Sequence, residues 1–125
     1  MSTSEIITLT DASLITVIVQ RSRGDEVVKA AQKAGAGGAT GHYGYGTGVR
    51  ERLGLLGLAV EAEKAFIYIV VADDEVNRVF DEIYSAAKLE TPGMGFMYVT
   101  KLEKATTYVP QELLEKLRHK QGSSE

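Results

Sequence analysis

The chain has 125 residues, of which 44% are hydrophobic and 25% charged, with a formal net charge of −3. This length predicts one domain that can bury a core without covalent staples, and the acidic balance argues against a nucleic-acid partner, which would need a basic face. The absence of cysteine excludes disulfides, thiolate metal sites and cysteine catalysis.

No apolar run approaches the roughly 18 residues of a membrane span. Residues Met1 to Glu5 lack the basic start and apolar stretch of a signal peptide, so a cytoplasmic location is expected. In chain order, Leu14 to Val19 is apolar and largely β-branched and reads as a strand, with Ile6 to Leu9 as a short extension of it. Gly24-Asp25-Glu26 opens a helix whose acidic first turn suits the positive end of the helix dipole. Val27, Val28, Ala31 and Ala34 form its apolar stripe, and Gly35 stops it.

Residues 39–45 predict a weak strand interrupted by Gly41 and Gly44, followed by a loop over residues 46–57. Ala65 to Val71 is the strongest strand pattern in the chain. Asp73-Asp74-Glu75 opens a second helix, with Val76, Val79, Phe80, Ile83 and Tyr84 at helical spacing, ending at Lys88 and Leu89. Thr91 to Gly95 is a turn, Phe96 to Val99 a last strand, and Pro110 opens a short helix over about 110–120, before a tail (121–125) expected to be disordered.

The order is β-α-β-β-α-β, two tandem βαβ units, which predicts an α+β ferredoxin-like sandwich with a four-stranded antiparallel sheet. Two helices with one apolar stripe each cover only one face of such a sheet. The strands are apolar on both faces, so the open face predicts an oligomer.

Most of the chain's 13 glycines lie between Gly35 and Gly57. Gly44-Tyr45-Gly46-Thr47-Gly48 has a superficial dinucleotide look but the wrong third spacing, and no G-K-[ST] is present. His42 and His119 stand alone, outside any metal-ligand spacing. Asp73-Asp74-Glu75 is explained by capping and dipole effects at a helix start. No nucleophile, base and oxyanion hole assemble in the sequence, so no catalytic residue is assigned. Arg50, Arg52 and Lys64 are either solvated loop charges or partners for phosphates or carboxylates.

Four local patterns, in order, resemble the P-II signalling superfamily over about residues 14–109. Gly38-Ala39-Thr40 resembles its G-[MA]-T, and Gly46-Thr47-Gly48 the G-F-G at the base of its mobile T-loop. Val70-Val71-Ala72-Asp73-Asp74 resembles V-V-P-D-D, and Thr91 to Phe96 the glycine-bearing loop before the last strand. The resemblance implies a homotrimer that binds adenine nucleotides in clefts between subunits and regulates a protein target, often a membrane transporter, through the T-loop. It places Thr40, Gly46, Thr47, Gly48, Arg50, Lys64, Gly93, Met94 and Gly95 at the ligand. Val49, Arg50, Glu51, Arg52 and Leu53 fall in the partner-binding loop. It implies neither enzymatic activity nor a bound metal.

The departures are also specific. The loop is shorter than in nitrogen-regulating members, and Tyr43 and Tyr45 lie before it, so the uridylylated tyrosine has no counterpart. Phe96 stands where the family has a lysine, and Thr107 and Val109 where it has two phosphate-binding arginines. With three cations missing, AMP or ADP is expected rather than ATP. A trimeric adaptor with no nucleotide, and a metal-tolerance-type trimer, are the alternatives.

Overall fold

A computed structural model describes residues 6–46, 63–113 and 115. The apolar, β-branched runs form the two central strands, β1 (Ala12–Gln20) and β3 (Glu63–Ala72), paired antiparallel from Ala12↔Ala72 to Gln20↔Lys64. The glycine-interrupted β2 (Thr40–Tyr45) pairs on the outer side of β3, and β4 (Gly95–Lys101) on the outer side of β1. The order β2-β3-β1-β4, all antiparallel, with helices α1 (Gly24–Lys33) and α2 (Val76–Ala86), is the expected α+β ferredoxin-like fold. Within it, β3 starts earlier than its apolar run because Glu63 and Lys64 continue the ladder to Tyr45 and Gly44, and ends later because Ala72 pairs with Ala12.

Alternation along β1 and β3 sorts their residues by face. Ile15, Val17 and Val19 join Ala65, Ile67, Ile69 and Val71 beneath Val27, Ala30 and Ala31 of α1 and Val79 and Ile83 of α2. Burying each Val or Ile side chain stabilises by about 1.5–3 kcal/mol. Helix α1 ends where the sequence places its stop: Gly35 has φ +101°, and Arg78 Nε donates to the Ala34 carbonyl at 2.9 Å. Helix α2 ends at Ala86, two residues before Lys88, which is left-handed at φ +53°.

The other sheet face is open. Register sets His42, Phe66, Ile18 and Phe96 in one row and Thr40, Tyr68, Thr16 and Tyr98 in the next. Phe96 is 62% exposed and Val70 55%. The expected open apolar face is therefore present. His42 belongs to it as a strand residue, stacked on Phe66 at 4.9 Å, with Nε2 2.9 Å from the Tyr68 hydroxyl.

The acidic start of α2 works differently from expectation. No side chain caps this end, and Asp73–Glu75 forms a 3-10 turn ahead of the helix. Asp73 instead reaches across the sheet end: Ser13 Oγ donates to it at 2.7 Å, and Lys101 Nζ lies 2.9 Å from its other oxygen. Ser13 and Lys101 are paired residues of β1 and β4, so this carboxylate joins three strands where a cap would join one turn.

The Ser13 hydrogen bond, then the Lys101 ammonium, hold the Asp73 carboxyl below its ordinary range. A depressed folded pKa contributes stability above the unfolded value, about 3.9 for Asp, and that stability is lost as pH falls through the folded value. Denaturation from pH 6 to pH 2 should therefore show a shallower acid limb for Asp73→Asn than for the unmodified chain. Identical limbs would show that the bridge does not contribute.

The chain divides into two compact units, Asp11–Leu102 and a second made of the segments on either side of it. In the second, Leu9 and Ala105 form an isolated antiparallel bridge with N–H···O distances of 2.7 and 2.9 Å, and Thr106 Oγ1 donates to the Ile7 carbonyl. Ile6 to Leu9 is thus no extension of β1. The chain bends at Asp11, and Leu9 finds its backbone partner in Ala105. Residues 111–113 and 115 are helical, as expected after Pro110; the remainder of that helix and the tail lie outside the described residues.

Candidate functional site

The site lies at the end of the sheet where β2 finishes and β3 begins. Its centre is Lys64, only 7% exposed although it is a lysine near a strand end. Lysine is almost never so buried without partners. Its cross-strand neighbours on the open face are Gly44 on β2 and Gln20 on β1. Gly44 leaves room for the Phe66 ring, since a Cβ there would stand 2.9 Å from Phe66 Cε1, while the apolar lysine stem can lie along the sheet. A Cβ built at Gly46 would stand 3.8 Å from Lys64 Cγ, in ordinary van der Waals contact.

Gln20 ties this corner to the turn before β4, its Nε2 donating to the Gly93 carbonyl at 3.1 Å. That turn needs its glycines. Gly93 has φ +81°, a left-handed conformation that disfavours other residues. Gly95 lies opposite Val19, and a Cβ there would meet the Ile18 carbonyl oxygen at 2.6 Å and Val19 Cγ1 at 2.8 Å. Met94, between them, is half-buried, its N–H 3.3 Å from the Thr91 carbonyl. A buried cation beside glycine backbone is suited to an anionic group, because glycine lets main-chain amides approach it closely.

The structure thus gathers Lys64, Gly46 and the Gly93–Gly95 turn at one sheet end. Thr40 is on the same face but opposite Tyr68, four residues along β3 from Lys64 and hence about 13 Å away along the strand. It is a neighbour of the aromatic rows, not of the lysine. Thr47, Gly48, Val49, Arg50, Glu51, Arg52 and Leu53 lie outside the described residues. Gln20 is the residue that sequence reading missed. Its signal is visible, a polar side chain closing the apolar run of β1, but only strand register sets it beside Lys64. Among the described residues, no group of three or more His, Asp or Glu side chains could hold a metal ion.

Residues 12–112 match the family model for nitrogen regulatory protein P-II. The chain belongs to the nitrogen regulatory P-II family. The fold agrees. A crystal structure of Arabidopsis thaliana PII bound to citrate matches with a TM-score of 0.59 and 24% identity, over 75% of this chain and 79% of that one. At that identity the likeness speaks for the fold alone. No curated protein matches the chain in sequence.

Phe96 opens the apolar part of β4 beside this corner. The Phe96 ring is exposed and packs on Tyr98 with centroids 5.7 Å apart. It extends the aromatic rows of the open face and offers no charge. Lys64 is therefore the cation of this corner on the open face among the described residues. Among the described residues, no helix is long and apolar enough to cross a membrane.

Proposed function

We propose that this P-II family member is a signalling protein that binds an adenine nucleotide, AMP or ADP, at the Lys64 corner and regulates a partner protein without catalysing a reaction. The observation that carries the reading is the burial of Lys64 beside Gly46 and the Gly93–Gly95 turn. One cation among close-approach glycines suits a short phosphate chain, while Phe96 supplies no charge for a longer one. The citrate in the Arabidopsis protein lends general support, since it too is a small polyanion.

The apolar open face supports assembly as a homotrimer whose clefts bring residues of a second copy to the ligand. Thr40 is assigned to that cleft, as are Thr47, Gly48 and Arg50. The segment Val49 to Leu53 is assigned to the protein target, for which a membrane transporter is one class. Cytoplasmic location and one functional domain over the whole chain belong to the same reading.

The test is thermal. ADP at 100 times its dissociation constant should stabilise the chain by ~2.7 kcal/mol and raise its melting temperature by at least about 5 °C. Lys64→Ala should remove most of that shift. If AMP, ADP and ATP all leave the melting temperature unchanged, the nucleotide reading fails. The adaptor reading, favoured by the uncharged Phe96, then takes its place.

A further inference from the structure

On the opposite face of the same sheet end stands a second cluster of side chains. The Arg21 guanidinium is hydrogen-bonded to a Glu63 carboxylate oxygen and lies over the Tyr43 ring, 4.5 Å from its centroid. The Tyr45 hydroxyl donates to the other Glu63 oxygen at 3.4 Å. Glu63, then Tyr43, raise the Arg21 pKa above its ordinary value, so the guanidinium stays charged.

The position of this cluster is what matters. Arg21 directly follows Gln20, and Glu63 directly precedes Lys64. Gln20 and Lys64 are cross-strand partners on the open face. Successive strand residues point to opposite faces, so Glu63 anchors the backbone of Lys64 from behind. Tyr43 and Tyr45 alternate with Gly44 and precede Gly46, so the same cluster holds the end of β2 against β3. One ordered guanidinium serves both strand ends, which lowers the entropic cost per contact relative to an isolated pair.

We propose that Arg21 is a positioning residue: through Glu63 and Tyr43 it sets the spacing of Gly46 and Lys64, and with it the affinity of the corner for its ligand. The inference rests on the nucleotide reading above for the ligand, and on geometry alone for the clamp.

Two measurements on the full chain test it, ADP affinity by calorimetry and amide hydrogen exchange at residues 44–46 and 63–65. Arg21→Gln should speed exchange at those amides and leave the rest of β1 and β3 unchanged. It should weaken ADP by up to about fivefold, the reach of an exposed ionic cluster. The exchanged pair Arg21→Glu with Glu63→Arg restores the ion pair but not the cation over the Tyr43 ring, and should recover both properties in part. Unaltered exchange and affinity in Arg21→Gln would overturn the proposal. So would weakened affinity that the exchanged pair fails to recover, because Arg21 would then act on the ligand directly. If the unmodified chain binds no ADP, the nucleotide reading fails by itself. Local exchange then decides the clamp: faster in Arg21→Gln supports it, unchanged overturns it.

Discussion

Ile69→Ala is expected to destabilise the chain by about 3–4 kcal/mol, while Val70→Ala, one residue on, should stay within about 0.5 kcal/mol in the isolated protomer. The two residues are neighbours in a single apolar run, yet Ile69 is fully buried and Val70 is 55% exposed. Ile69 lies opposite Ile15 and belongs to the core beneath both helices. Truncation there forfeits the transfer energy of the lost carbons and leaves a cavity between packed strands and helices that cannot collapse. Val70 pairs with Leu14 on the open face, where solvent replaces what is removed. Thermal or urea denaturation at low protein concentration checks the pair. Equal losses would show that the open face is buried even in the isolated protomer.

Gly95→Ala should cost about 2–3 kcal/mol and also weaken the ligand corner. The added Cβ would sit 2.6 Å from a main-chain oxygen of β1, an atom that cannot rotate away, and 2.8 Å from a buried Val19 methyl. Relief requires β4 to move off β1, which draws the Gly93 carbonyl away from Gln20. Gly37→Ala is the control, because a Cβ there meets nothing within 4 Å. It should leave melting nearly unchanged. If Gly95→Ala melts like Gly37→Ala, β4 yields more easily than its packing implies.

Most elements of the fold are legible in the sequence because periodicity reports directly on burial. The β-branched runs of β1 and β3 and the 3.6-residue stripes of α1 and α2 leave few other ways to shield their apolar atoms. The order of those elements then restricts the sheet to few topologies. The P-II resemblance is legible for a related reason: Gly93 and Gly95 are residues for which little else fits.

Asp73 shows where such reading stops. Local pattern made it a helix-start acid, and its position is consistent with that. Its actual partners, Ser13 and Lys101, are 60 residues before it and on β4, so only strand pairing brings them into reach. Ile6 to Leu9 fails similarly. Its composition suits a strand, but a strand is defined by its partner, and that partner is Ala105.

The sequence by itself determined the four strands of the sheet and the two helices, and that one sheet face would remain apolar and uncovered. These follow from side-chain size, branching and polarity, which act within a few residues. The tertiary structure alone decided that Lys64 is buried, that Gln20 stands between it and the Gly93 turn, that Thr40 lies about 13 Å away along the sheet, and that Arg21 braces the corner from behind. Those relations depend on strand register, and a shift of a single residue would reverse every face assignment.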